Sequence, residues 1–335
     1  LGRGAVLLWG LAVGAVGLAT LWPASGPPSL ERLIPTMSRQ TWLEAATVAG
    51  LTLLALVLRI AALDSVPFTL GGDEAWHGLL ARQVLEGNIQ NPFSMGYMSM
   101  PTFFYWPLSW SLALAGNNIA GLRLPAALVG TVTVPLLYLF ARDLWGKRTA
   151  LLAAAFLATY DYHIHYSRLG ANNVWDPLFV LVALWALDRG LVAATSGATE
   201  GQASAYRSFL AVGFVVGLST YFYTGARLLP PLVIIYVAFV WLKRRRQVGQ
   251  LGTRLLLLLG LAALVFLVVA GPMLSYALSH PNEWNARLNQ VGIIQSGWLE
   301  REPELTGKST PQILAEQFLR AAGAFNVFPD RTAWY

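Results

Sequence analysis

The sequence predicts an all-α polytopic membrane protein with about eight transmembrane helices, and three observations support this. Hydrophobic residues make up 56% of the 335 positions and charged residues only 12%, whereas soluble domains carry roughly twice that charge fraction. Mean hydropathy is +0.52. The apolar residues gather in runs of helix length, several near the roughly twenty residues that cross a bilayer, and no alternating ten-residue pattern suggests an outer-membrane barrel.

In chain order the segments lie near 5–22, 41–63, 123–141, 149–166, 177–193, 208–223, 228–242 and 255–277. The first resembles a signal peptide, with a faintly cleavage-like flank, Trp22-Pro23-Ala24-Ser25-Gly26. The chain begins with Leu1 rather than Met and stops at Tyr335 with no terminal signal, so it reads as a fragment. Between the first two segments lies a basic linker, which gives an N-terminal unit over 1–40, a membrane module over 41–277 and a last segment over 278–335.

Lys and Arg in short loops orient such a chain. Arg32 and Arg39, then Arg142, Lys147 and Arg148 in ARDLWGKR, then Arg189 and Arg207, and then Lys243 to Arg246 with Arg254 all fall on one side if the segments alternate. That side is expected to be cytoplasmic. The net charge of +6 is therefore a matter of topology rather than of nucleic-acid binding, and the run KRRR reads as a cytoplasmic anchor. With no cysteine in the chain, disulfides, thiolate metal sites and cysteine nucleophiles are excluded. The polar stretch TSGATEGQASAYR, 195–207, reads as a flexible cytoplasmic loop.

The opposite, outer face receives a large first loop, 64–122. It holds a short helix from Glu74 to Glu86, ended by Gly87-Asn88, and the apolar piece PTFFYWPLSWSLALAG, 101–116. Counting that piece as a span would invert every later loop and place KRRR outside, so it reads as a helix in or dipping into the interface, where its Tyr and Trp belong. The acidic segment Glu300 to Glu304 and the amphipathic run Gln312 to Ala322 read as outer-face structure.

Three constellations on that face could carry chemistry. In GGDEAWHGLL, Asp73 and Glu74 follow a greasy segment directly. Acids in a first turn face the helix dipole favourably; the sharper alternative is a carboxylate at the bilayer surface serving as general base or cation ligand. YDYHIHYSRLGANNVWDPL packs Asp161, His163, His165, Arg168, Asn172, Asn173 and Asp176 into one short loop. Here an aromatic interfacial belt and a helix start compete with a polar cavity. His163 and His165, two apart, suit neither one helix face nor a zinc pair, which favours a structural or acceptor-contact role. In STYFYTGARLLPPL, Arg227 is a cation at an outer boundary that either snorkels or holds a phosphate with its planar fork, and Arg168 invites the same reading. Two acids, two arginines and a belt of aromatics at one face are the parts expected of a lipid-phosphate site.

The elements GGDEAWHGLLARQVLEGN, GLRLPAALVGTVTVPLLYLFARDLWGKRTALLAAAFLA, HYSRLGANNVWDPL and YFYTGARLLPPL occur in this order. From about residue 50 to 240 the chain resembles the protein O-mannosyltransferase and lipid A aminoarabinose transferase superfamily, GT-C-type glycosyltransferases that use polyprenyl-phosphate sugars. The resemblance implies a GT-C-type helical bundle in which interfacial helices cover a cavity for the lipid-linked donor. It makes Asp73 the candidate base, with Glu74 supporting it, and Asp176 or Asp161 a second acid. Arg168 and Arg227 become candidate phosphate contacts, and His77, Asn173 and Tyr223 further substrate contacts. The Arg168-to-Asp176 spacing is longer here than in the mannosyltransferases, and relatives continue with further spans or an outer domain.

The reaction implied is an inverting single displacement from a polyprenyl-phosphate sugar to a hydroxyl of a protein, lipid or envelope glycan, on the extracytoplasmic face of the plasma (inner) membrane. No cofactor is required by the sequence; a divalent metal is compatible with it but not demanded. The alternative from another class is a transporter or flippase for a lipid-linked or anionic substrate. Such proteins place ionisable groups near mid-membrane and show repeated halves with broken helices, whereas these charges gather at one interface without an evident repeat. An assembly subunit is a third alternative.

Overall fold

The computed structural model describes residues 3–21, 38–195, 199–243, 252–324 and 327. Arg32, Arg244 to Arg246, the Trp22–Gly26 flank and both chain ends lie outside the described residues. Among the described residues every regular element is helical. They are α1 (Arg3–Leu21), α2 (Arg39–Ile60), α3 (Gly72–Leu85), α4 (Tyr105–Ala115), α5 (Ile119–Trp145), α6 (Lys147–Thr159), α7 (Asp161–Ser167), α8 (Trp175–Thr195), α9 (Thr199–Ser219), α10 (Leu229–Lys243), α11 (Thr253–Ser279), α12 (Pro281–Val291), α13 (Trp298–Thr306) and α14 (Thr310–Gly323).

The chain divides into two compact units, one of residues 1–96 and 100–278, the other of 97–99 and 279–335. In the first, α2, α5 and α6 pack through small residues. Ala150, Ala154 and Ala158 recur every fourth position along α6 and are fully buried with Ala55, Val134 and Ala141. Such stripes let helix backbones approach closely where hydrophobicity itself cannot drive association. Asn118 starts α5 by accepting a hydrogen bond from the Gly121 amide at 2.8 Å, an N-cap that satisfies one orphan donor. The turn into α6 is a single residue, Gly146, whose φ of +82° is a conformation L side chains rarely adopt. Helices α8 and α9 form an antiparallel hairpin, with Phe209 packed where Gly190 leaves room. In the second unit, Ser99 Oγ donates to the Glu283 carbonyl at 2.8 Å and accepts from the Arg287 amide at 3.0 Å, which fixes residues 97–99 to α12.

Several expectations change. Helices occupy all eight predicted segments, but among the described residues only five stretches are long and apolar enough to cross a membrane: Arg39–Ile60, Ile119–Trp145, Trp175–Thr195, Thr224–Lys243 and Thr253–Ser279. The Val6–Thr20 stretch is apolar but shorter. The segment expected over 149–166 is two helices, because Tyr160 is extended (φ −68°, ψ 114°) and Asp161 opens a new first turn. The stretch 195–207 is not a loop where it is described. α9 starts at Thr199, since its Glu, Gln and Ala are good helix formers and Ala205 is buried beside Phe209. The segment expected over 208–223 leaves the helix after Ser219. As expected, α3 ends beside Gly87, whose φ is +75°, and the 101–116 piece yields only an eleven-residue helix, α4, about 16 Å long and too short to span.

Helix directions give the first unit two chemically distinct ends. At one end, Glu44 near the start of α2 meets Arg142 at the end of α5 (3.0 Å) and Lys147 at the start of α6, and Arg189 meets Asp143. This is the basic end. The other end collects the end of α2, α3, the start of α5, α7 and the start of α8, and there the predicted site residues stand.

Candidate active site

Asp73 and Glu74 lie in the first turn of α3 and point apart. Glu74 is 3% exposed. Its Oε1 accepts from Arg123 Nε at 2.6 Å and from the Gly170 amide at 2.7 Å, and its Oε2 accepts from Arg123 Nη2 at 2.9 Å. Arg123, fully buried, also donates to the carbonyls of Leu63 and Pro67 at 3.0 Å and Thr69 at 3.3 Å. A planar fork with five donors suits this task, since it can hold a carboxylate bidentately and still satisfy backbone carbonyls. The pair fastens the 63–74 loop to the first turn of α5 and so fixes the start of α3. Asp73 is exposed and has no hydrogen bond or ion pair among the described residues.

His77, one turn on, is buried and donates Nδ1–H to the Gly170 carbonyl at 3.1 Å. Gly170 thus grips α3 with both its amide and its carbonyl. Burial holds the His77 pKa below the ordinary histidine value, against the opposing influence of the Gly170 hydrogen bond and of Asp73 and Glu74, and favours the neutral imidazole. Its ring meets the edge of Phe104 at 5.3 Å, and Phe104 in turn meets Trp175 at 6.4 Å. One aromatic step therefore links the α3 start to the α8 start, where Asp176 follows Trp175.

Asp176 is half-buried, and its Oδ1 is buried with no hydrogen-bond partner among the described residues, as are the Trp175 Nε1–H and the Tyr105 hydroxyl. Buried polar atoms are nearly always paired, so such a set marks a place where something else supplies partners. Asp176 lies against Gly225, where a side chain would collide with its carboxylate. Gly225 belongs to the 3-10 turn Thr224–Leu228, which follows Tyr223 and carries Arg227. Trp175 stacks on Phe222 at 4.5 Å, and Asn172 donates to the Phe222 carbonyl at 2.9 Å. Asp176, Tyr223 and Arg227 are thus on one small structure, and Asn173 is half-buried beside Asn172.

Arg168 is engaged differently. Its guanidinium donates to the carbonyls of Leu58 (2.7 Å), Ala61 (2.6 Å), Ala62 (3.2 Å) and Val66 (2.9 Å), closing the C-terminal end of α2. Asp161 accepts from the Tyr162 amide at 2.8 Å in the first turn of α7, apart from these contacts. Among the described residues no three His, Asp or Glu side chains form a metal-holding group. Glu74, the buried acid of the pair, already accepts from three charged or amide donors.

Sequence reasoning missed two buried arginines. They are Arg123, in GLRLP, and Arg59, in the last turn of α2. Arg59 is fully buried and donates to the carbonyls of Ala55 (3.0 Å), Leu157 (3.2 Å) and Ala158 (3.2 Å), to Ser167 Oγ (3.3 Å) and to His163 Nδ1 (2.8 Å). The available signal was a cation at the apolar end of a span, far from the basic end, where orientation does not call for one.

Comparison with known proteins gives the family of the chain. Residues 99–286 match the family of dolichyl-phosphate-mannose-protein mannosyltransferases, and the chain belongs to that family. Asp73 and Glu74 lie outside the matched residues, ahead of them in the chain. An undecaprenyl phosphate-alpha-4-amino-4-deoxy-L-arabinose arabinosyl transferase of Pseudomonas fluorescens is 31% identical over 264 residues, covering 72% of this chain and 44% of the relative. One from Pseudomonas paraeruginosa is 32% identical over 207 residues, covering 58% and 33%. The chain therefore spans less than half the length of these relatives. An oligosaccharyltransferase of Archaeoglobus fulgidus, solved with an inhibitory peptide and a dolichol-phosphate, shares the fold at a TM-score of 0.50 and 17% identity, over 86% of this chain and 38% of that one. Its form tethered to an acceptor peptide gives 0.52 and 14%, over 86% and 39%. The fold is all-helical and GT-C-like, and the protein is a multi-pass membrane protein.

Proposed function

We propose that the protein is an inverting glycosyltransferase that moves a sugar from a polyprenyl-phosphate donor to a hydroxyl acceptor at the outer face of the bacterial inner membrane. The observation that carries this reading is the division of labour in the acid pair. A buried Glu74–Arg123 fork holds α3 in place and presents Asp73 to the exterior without a partner of its own. Family membership and the names of the relatives support the donor class.

In the reaction, the acceptor oxygen attacks the anomeric carbon as its proton passes to the Asp73 carboxylate. The bond from that carbon to the phosphate oxygen breaks, and polyprenyl phosphate leaves with the electron pair. Arg227 meets the charge developing on the phosphate, a task suited to a fixed guanidinium. Asp176, with its unpartnered Oδ1 beside the Trp175–Phe222 stack, contacts the sugar or acceptor hydroxyls. His77, Asn173 and Tyr223 line the same end, while Glu74 and Arg168 hold the elements that carry the reacting groups.

The test is donor consumption by membranes containing the complete protein, offered a panel of polyprenyl-phosphate sugars, with Asp73→Asn beside wild type. Removing a general base is expected to lower the rate by about 10²- to 10⁴-fold, with no change in thermal unfolding because Asp73 is exposed. Equal consumption by both proteins would reduce Asp73 to a helix-start residue.

A further inference from the structure

At the basic end, away from the proposed active site, a groove of about 670 Å³ runs between α2 and α5. Ala49, Leu53, Leu56, Pro135 and Leu139 form its walls, and Thr41, Glu44 and Arg142 its polar mouth. On α2 it extends from Thr41 to Leu56, about 22 Å at the helical rise of 1.5 Å per residue. Spread over that length, the volume gives a cross-section of about 30 Å². A single hydrocarbon chain fits.

The mouth selects by charge. Glu44 is matched by Arg142 (3.0 Å), by Lys147 and by the Tyr138 hydroxyl. Arg148, exposed beside Lys147, raises the cations to three against that one carboxylate. Asp143 is occupied with Arg189 and the Trp185 indole. No side chain caps the start of α6 at Gly146, so its N-terminal amides add positive potential beside Lys147. A narrow apolar slot that ends in surplus positive charge is complementary to an acyl chain bearing a phosphate.

We propose that this groove binds an anionic phospholipid of the leaflet at the basic end. One acyl chain lies between α2 and α5, and the phosphate is held by Lys147, Arg148 and the first amides of α6. The site is independent of the transfer reaction and stands whether or not Asp73 is the base.

The experiment uses the complete protein in mild detergent, titrated with dioleoylphosphatidylglycerol or dioleoylphosphatidylcholine, with bound lipid counted by native mass spectrometry. Wild type is expected to retain phosphatidylglycerol selectively. A basic side chain near an anionic headgroup is worth roughly 1 kcal/mol, or about fivefold in affinity, so Arg148→Gln should weaken phosphatidylglycerol by about that factor and leave phosphatidylcholine unchanged. Ala49→Phe, which fills the slot, should lose the bound lipid, while Ala46→Phe on the exposed side of α2, outside the lining, should keep it. Should Ala49→Phe fail to fold, the Arg148→Gln comparison decides alone. Equal retention of the two lipids, equal behaviour of the two phenylalanine variants, or a groove filled by a second copy or by a further helix of the complete protein would overturn the proposal.

Discussion

Neighbouring residues on a helix point about 100° apart, and at the start of α3 that rotation gives two identical functional groups different work. Glu74 turns inward to Arg123, and both are almost wholly buried. Removing one partner of such a pair leaves an uncompensated charge and costs roughly 3–5 kcal/mol. Arg123→Met should be the more damaging change, because it also releases the Leu63, Pro67 and Thr69 carbonyls. Glu74→Gln keeps an acceptor for the guanidinium and should lose less. Thermal unfolding in detergent checks the order, with Asp73→Asn as the reference that should unfold like wild type. If Arg123→Met matched that reference, the fork would not be what holds α3. A sequence shows the acid pair at once, since two adjacent carboxylates after an apolar run are conspicuous. It does not show which one is anchored, because the partner is 49 positions away and nothing local in GLRLP distinguishes Arg123 from an arginine at a membrane boundary.

Among elements, the recurring device is a buried arginine that closes the C-terminal end of another helix. Arg59 reaches the Leu157 and Ala158 carbonyls at the end of α6, and Arg168 those of Leu58, Ala61 and Ala62 at the end of α2. Helix ends leave carbonyls unpaired and carry partial negative charge, so a guanidinium there satisfies hydrogen bonds and dipole together. Helix positions were legible because apolar runs and their polar ends are local signals; the contacts that tie the helices were not, being set by tertiary packing. The split at Tyr160 was hidden because apolar and aromatic residues continue across it. The helical course of 199–207 was hidden because burial of Ala205, not hydropathy, stabilises it. Close helix contacts are testable in the same way. A β-carbon at Gly213 would meet the Ala262 carbonyl of α11, and backbone there cannot yield as a flexible side chain would. Gly213→Leu should therefore separate α9 from α11 and lower stability by more than the 1–3 kcal/mol typical of overpacking, whereas Gly260→Leu, which meets nothing within 4 Å, should be close to neutral. Equal unfolding midpoints for the two variants would contradict the close approach.

At the scale of the molecule, the two ends of the first unit bear different charge. Arg142, Lys147, Arg148 and Arg189 gather at one end, and the buried arginines, α3 and Asp73 at the other. Positive loops stay on the cytoplasmic side during insertion, so the Asp73 end should face outward. The absence of cysteine makes this directly measurable, because any thiol introduced is the only one in the chain. Phe68, 94% exposed in the loop before α3, and Arg148 at the opposite end are suitable positions. In intact cells a membrane-impermeant maleimide should label Phe68→Cys and not Arg148→Cys, and permeabilisation should make both reactive. The reverse pattern would place Asp73 in the cytoplasm and remove the outward-facing transfer reaction. Labelling of both in intact cells would mean that the chain does not hold one orientation. The expected pattern places the charged mouth of the groove and Asp73 on opposite sides of the membrane. The donor then reacts beside Asp73 in the outer leaflet, and the α2–α5 groove takes its phospholipid from the inner one, so lipid at the groove acts on the stability of α2, α5 and α6 without competing for the donor.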